Sequence, residues 1–222
     1  PVPWIAVPLE PDSEELYKPQ DSRDVIISNI IADLDFAANN ITEDKVTPNS
    51  NTVNRWTALF LKSRFCLFEA SFRKYHATGS EFGKEYLAGC EITADELFRQ
   101  AAEAAGEIIE KGPYKLHTTA DAYTKDGRGA YRDLFISDNP MTDEVMLALS
   151  LDPVMQLGEM NWYYNSSTYG PHLCMTRTFA KTYLNLDGTV YNEKKSNGAY
   201  KTFAEETTGR DYRLNQTTVS YT

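Results

Sequence analysis

The stretch richest in ligand chemistry lies between residues 158 and 172. It reads Gly-Glu-Met-Asn-Trp-Tyr-Tyr-Asn-Ser-Ser-Thr-Tyr-Gly-Pro-His and gathers Glu159, Asn161, Trp162, Tyr163, Tyr164, Asn165, Tyr169 and His172. Sugar rings present C–H faces that stack on aromatic rings, while their hydroxyls take hydrogen bonds from amides, carboxylates and arginine. Asn161, Trp162, Tyr163, Tyr164, Asn165, Tyr169 and His172 therefore form the candidate ligand-binding set. The same aromatics can instead pack back on neighbouring helices, and the sequence leaves both readings open.

Other reactive chemistry is sparse. Glycoside hydrolysis needs two carboxylates facing each other across a cleft. Asp143-Glu144 and Glu205-Glu206 are adjacent pairs, which seldom face one another. His76, His117 and His172 are scattered, without the local context of a Ser/His/Asp or Cys/His arrangement. No catalytic residue is expected. Cys66, Cys90 and Cys174 lack CxxC or Cys/His ligand spacing, so no structural zinc is expected. Free thiols are the plainer reading; a Cys66–Cys90 disulfide is the alternative in an oxidising compartment. No cofactor is implied and no EF-hand spacing occurs, although a calcium held by oxygen ligands stays open in so acidic a chain.

The elements that must position these residues are helical. At 222 residues, 41% hydrophobic and 24% charged, the chain fits one domain, or a large piece of one, with a buried core. A net charge of −10 without clustered Lys and Arg argues against a nucleic-acid surface. No apolar run is long enough to span a membrane, and no secretory signal pattern opens the sequence. The prolines at 1, 3, 8, 11 and 19 make residues 1–20 an extended strap on the helices, of a kind expected in a processed or truncated chain. Trp4 either anchors that strap or stacks on sugar.

Three long helices follow. The first, from about Ser22 to Asn39, is capped by Asp21 or Ser22 and buries Ile27, Ile30, Ile31, Leu34, Ala37 and Ala38. The second starts near Thr52 and ends near Tyr75. Its stripe is Trp56, Leu59, Phe60, Ser63, Leu67 and Ala70, and further aromatics predict packing on several sides. The third opens with a Thr93/Glu96 capping box and ends at Gly112-Pro113, read as a left-handed stop. Its stripe is Leu97, Ala101, Ala104, Ala105 and Ile108, small enough for close helix approach.

Beyond Leu116 the periodicity fades. Tyr131, Leu134 and Phe135 mark a short helix or turn, and 144–150 a strand or extended segment. A fourth helix is predicted from Thr176 to Asn185 with Phe179, Tyr183 and Leu184 inward, then an Asp187-Gly188 turn and a short helix near Phe203. Tyr114 reads as core, Tyr123 as a weaker ligand contact. Arg210 and Asp211 suggest bidentate pairing that cross-links chain segments.

The order of motifs resembles the SusD/RagB family of nutrient-binding outer-membrane lipoproteins of Bacteroidetes. Asp33-Leu34-Asp35 in the first helix resembles the family's aspartate-leucine-aspartate centre, and Asn54 to Ala70 its Arg/Lys-rich second helix. Gly112-Pro-Tyr114-Lys-Leu116 resembles the Gly-x-Tyr-x-Leu helix end, and Glu144-Val145 the start of a strand. Asp187-Gly188 resembles the Asp-Gly helix end, and Arg210-Asp-Tyr-Arg-Leu214 the Arg-Asp-Pro-Arg-Leu signature, with Tyr212 where proline is usual.

The resemblance implies a mainly α fold of degenerate tetratricopeptide-like helix pairs, an α-α superhelix with long loops and a few short strands. It implies the central portion of a single SusD-like domain over 1–222: strap 1–20, helical repeat core 21–116, loop-rich ligand-binding part 117–222. It also implies a surface-exposed, lipid-anchored protein of the outer membrane. Such a protein captures an oligosaccharide or other nutrient and passes it to a TonB-dependent, SusC-like transporter, without catalysis. A helical-repeat interaction scaffold without direct glycan binding is the alternative.

Overall fold

The computed structural model describes residues 2–43, 52–76, 86–118, 129–137, 139–149 and 174–217. The chain is mainly helical. After a 3-10 turn (Glu14–Tyr17) come α1 (Arg23–Asn40), α2 (Arg55–His76), α3 (Ala94–Lys111), α4 (Ala130–Ile136), α5 (Arg177–Ala180), α6 (Phe203–Thr207) and α7 (Tyr212–Thr217). In place of the expected short strands, the described residues hold two isolated antiparallel bridges, Asn185–Arg210 and Lys194–Tyr200. The chain divides into two compact units: Pro1–Lys115 with Thr142–Ala148, and Leu116–Met141 with Leu149–Thr222.

The first unit is built on α1, α2 and α3, with α2 touching both others. Residues from the end of α1, the start of α2 and the end of α3 share one core: Ala38, Trp56, Ala58, Leu59, Ala104 and Ile108. Ile27, Cys66, Ala70, Leu97 and Ala101 form the second, from the start of α1, the later half of α2 and the start of α3. Successive helices therefore run antiparallel. Five of these eleven core residues are alanines, which bring helix backbones close. Tyr114 and Met146 pack on the first cluster, so Tyr114 is core as expected.

Helix ends follow local chemistry, with two corrections. Ser22 Oγ accepts the Val25 N–H and starts α1. Asn54 does the same for α2: its Oδ1 accepts the Thr57 N–H at 3.0 Å while its Nδ2 donates to the Met146 carbonyl at 2.7 Å, so the helix starts at Arg55, later than expected. Thr93 caps α3, but Glu96 does not reach back; its carboxylate holds Arg99 and Gln100. The complete capping box lies instead at Thr202 and Glu205, ahead of α6. Gly112 ends α3 in an extended conformation (φ −68°, ψ 151°), not a left-handed one. A Cβ at this position would collide with the Ile108 carbonyl oxygen, so glycine is needed for close approach.

The expectation that α2 is packed all round is corrected as well. Trp56, Leu59, Cys66 and Ala70 are buried, but Phe60, Leu61, Leu67, Phe68 and Tyr75 are exposed. Two of these, Phe60 and Leu67, stood in the expected buried stripe. A helix flanked by two neighbours still has a third face, which periodicity does not cover.

The strap closes on itself. The Trp4 N–H donates to Asp21 Oδ2 at 2.6 Å, Lys18 Nζ donates to the Trp4 carbonyl at 2.9 Å, and the Asp21 N–H donates to the Val2 carbonyl. Trp4 anchors it through its main chain.

In the second unit α5 stops at Ala180, short of the expected Asn185, with Phe179 and Leu184 exposed rather than inward. Thr182 bonds the Phe179 carbonyl, and the carbonyls of Ala180, Tyr183 and Leu184 turn to Arg210. The Asp187-Gly188 turn forms as expected, with Gly188 left-handed (φ 81°) and Asp187 Oδ1 accepting the Thr189 N–H and hydroxyl. The strand or extended segment expected over 144–150 is not formed as a strand among the described residues: Glu144 lies in a turn and Met146 in a bend.

Candidate functional site

The expected ligand set, Asn161, Trp162, Tyr163, Tyr164, Asn165, Tyr169 and His172, lies outside the described residues, as do Glu159 and Tyr123. The remaining candidates are positioned as follows. Trp56 is buried core. Tyr131 meets Phe135 edge to face, 5.2 Å between centroids, on α4. His76 stacks on Phe72 with its Nδ1 3.0 Å from the Phe72 carbonyl. The Glu205 carboxylate binds the Thr202 N–H and hydroxyl and pairs with Lys195 at 2.8 Å, which holds its pKa down to about 2. Glu206 faces a different partner, Arg177, at 2.9 Å. Cys66, Cys90 and Cys174 are free thiols, and burial pushes the first two up in pKa. Among the described residues no group of three or more His, Cys, Asp or Glu could hold a metal. No described helix is long and apolar enough to cross a membrane.

Two buried charge nodes stand out, and the first escaped the sequence reading. The first joins α1, α2 and the segment before α3. Glu69, 1% exposed, accepts both Arg23 Nε and Nη2 (2.8 and 2.6 Å) and Arg73 Nε (2.8 Å). Arg73 also pairs with Asp24 at 2.7 Å and donates to the Ile92 carbonyl. Asp24 Oδ2 accepts the N–H groups of Glu91 and Ile92. Burial pushes the Glu69 and Asp24 carboxyls up, but hydrogen bonds outweigh it: those from Arg23 and Arg73 for Glu69, and those from Glu91, Ile92 and Arg73 for Asp24. Both sit below the usual carboxylate range. A signal was present: Glu69 and Arg73 are four apart, the spacing of a helical ion pair.

The second node is Arg210. It links chain segments as expected, but through main-chain carbonyls and not by bidentate pairing with a carboxylate; Asp211 binds Arg213. The Arg210 guanidinium, in a residue 2% exposed, donates to the carbonyls of Ala180, Tyr183, Leu184 and Glu206 and lies 3.5 Å from the Tyr191 ring centroid. One side chain thus caps the ends of α5 and α6. Arginine's five donors in a planar fork suit this role.

Beside this node the second unit presents an aromatic surface edged with cations. Glu193 to Lys201 form a hairpin: the Lys195 N–H donates to the Ala199 carbonyl at 2.8 Å, and the Lys201 N–H to the Glu193 carbonyl at 3.0 Å. Asn197-Gly198, with Gly198 at φ 79°, makes the turn. Asn-Gly is a strong hairpin signal and could have been read from the sequence. Tyr200 is 56% exposed, with Arg177 Cζ at 4.9 Å and Lys194 Nζ at 5.4 Å from its centroid.

A shallow depression also lies along the outer face of α3, lined by Arg99, Glu103, Glu107 and Lys111. Its Glu103 carboxylate is engaged with Arg99, and Glu107 with Arg55 and Lys111. No family model matches the chain, and no curated protein or solved structure matches it either.

Proposed function

We propose that the chain is the central portion of a SusD-like protein that binds oligosaccharide at the cell surface. It hands its ligand to a TonB-dependent outer-membrane transporter and carries out no catalytic step. The observation that carries this reading is the density of aromatic and amide side chains in 158–172, with Asn161, Trp162, Tyr163, Tyr164, Asn165, Tyr169 and His172 as the ligand contacts. The ordered motifs support it: Asn54, Tyr114, Gly188 and Arg210, each part of a resembling motif, hold helix ends, core or turns. In this reading α1, α2 and α3 belong to degenerate tetratricopeptide-type helix pairs. The full-length protein sits lipid-anchored on the outer membrane. Affinity electrophoresis against a panel of neutral and charged polysaccharides tests it. Retardation by at least one glycan, lost in the Trp162→Ala/Tyr163→Ala double variant, is expected; retardation that survives both substitutions sinks this site.

A second reading is an interaction scaffold without direct glycan binding. The exposed row of Phe60, Leu61, Leu67, Phe68 and Tyr75 on α2 favours it. Co-purification with a partner that is abolished by Phe68→Glu, together with no retardation by any glycan, would decide for the scaffold.

A further inference from the structure

We propose a second saccharide contact, specific for an acidic sugar, at Tyr200, Lys194 and Arg177. This inference rests on the reading of the chain as a glycan-binding protein and names a ligand class for a surface remote in sequence from 158–172. Three observations converge on it.

The first is the ring itself. Tyr200 is more than half exposed on the hairpin of Glu193 to Lys201, bridged to Lys194. An exposed tyrosine on a fixed backbone offers stacking area at little cost in ordering.

The second is the state of the cations around it. On and beside the hairpin, Lys181 and Lys195 are paired with Glu193 and Glu205. Lys194 has no carboxylate partner among the described residues, and its ammonium lies near the Tyr200 ring. Arg177 holds Glu206 but is 48% exposed, and guanidinium donors remain beyond the one in that contact. A carboxylate or sulfate on a sugar stacked at Tyr200 would therefore meet one unpaired ammonium and one half-exposed guanidinium.

The third is charge distribution. Residues 174–217 carry seven Lys and Arg against five Asp and Glu, a net of +2, in a chain whose total is −10. The molecule as a whole repels polyanions, so any attraction must be local. The same balance disfavours nucleic acid, whose duplex presents about one charge per 1.7 Å and needs denser cations than Lys194 and Arg177 supply. An acidic polysaccharide carries its charges singly, one per acidic residue, and alternates them with C–H faces that suit Tyr200.

The test uses the full chain in gels containing polygalacturonate (carboxylate), dextran sulfate (sulfate) or neutral dextran. The proposal expects retardation by at least one polyanion. That retardation should fall about tenfold in affinity in Lys194→Glu, the worth of roughly one charge-assisted hydrogen bond. It should fall also in Tyr200→Ala and weaken with added salt. Lys194→Gln, which removes the charge without reversing it, guards against misfolding and should show a smaller loss in the same direction. Lys111→Glu makes the same charge reversal on an exposed residue of α3 and should leave retardation unchanged. Equal losses in Lys111→Glu and Lys194→Glu, or none in Lys194→Glu and Tyr200→Ala, overturn the proposal. Absence of retardation by either polyanion overturns it too. The two readings fail separately: loss of neutral and acidic glycans alike in the Trp162→Ala/Tyr163→Ala variant, with Lys194→Glu silent, leaves the first standing and removes this one. Which polyanion is bound separates carboxylated from sulfated sugars.

Discussion

The two units are held by different physics. Among the described residues, eleven apolar side chains are buried in the first unit and two, Tyr191 and Leu214, in the second. The first unit is a helical layer with an apolar core, and its buried charges add a clamp to structure that packing already supports. The described part of the second buries little. Its chain direction is held by main-chain hydrogen bonds, a hairpin, a capping box and one arginine that collects four carbonyls. Burying a methylene is worth ~0.8 kcal/mol, whereas a hydrogen bond nets ~1 kcal/mol only when its partners would otherwise be solvated. Stability in the first unit is therefore spread over many contacts, and in the second it is concentrated in a few.

That contrast can be broken most forcefully at Glu69. Glu69→Ala takes the carboxylate from both Arg23 and Arg73, leaving buried Arg73 with Asp24 as its one remaining carboxylate partner, and should cost about 3 kcal/mol. Denaturant unfolding followed by the fluorescence of buried Trp56 reads it directly. A loss under 1 kcal/mol would mean that the apolar core alone holds the first unit. Leu97→Ala should cost about 2–5 kcal/mol at the same probe, because Leu97 is wholly buried between α2 and α3.

Arg210→Ala should cost about 3 kcal/mol, less than the largest core losses, because several carbonyls lose a charged donor at once. The consequence should nonetheless be broader in place. Hydrogen exchange is expected to rise across α5, α6 and the Asp187-Gly188 turn, with α1 to α3 unchanged. Exchange that rises only at Arg210 itself would show that the second unit does not depend on one residue.

Acid should weaken the first unit by a smaller amount. The Glu69 and Asp24 carboxyls lie below their unfolded values, so their contribution is present above the unfolded pKa and is lost as pH falls through the folded one. The first unit should therefore keep this contribution above the ordinary carboxylate pKa values and lose it progressively as pH falls below them. Glu69→Gln should flatten that loss in an acid titration of Trp56 fluorescence; an unchanged curve would assign the acid sensitivity elsewhere. Smaller again is Thr202→Ala, which removes the α6 capping box at about 1 kcal/mol. It should loosen α6 in hydrogen exchange, whereas Thr93→Ala at the half-made box of α3 should cost less.

The sequence by itself determined the three long helices, because periodicity and caps act within a few residues. Ser22 and Thr93 sit where their side chains must accept the nearest free N–H, and Ile27, Leu97 and Ile108 recur at helical spacing. The short helix at Tyr131 and the turn at Gly188 were legible for the same reason. The candidate site was legible only as composition: aromatic rings and amides name a ligand class, but the placement of a ring depends on what folds beneath it. Tertiary structure decided which face of α2 is covered, since a helix cannot encode how many neighbours it has. It decided that Glu69 is buried with Arg23, forty-six residues away. It also decided that Arg210 serves carbonyls instead of Asp211, because backbone acceptors left open at the ends of α5 and α6 exist only once those helices have stopped. Local rules write the elements; the satisfaction of buried polar groups is settled across the whole chain.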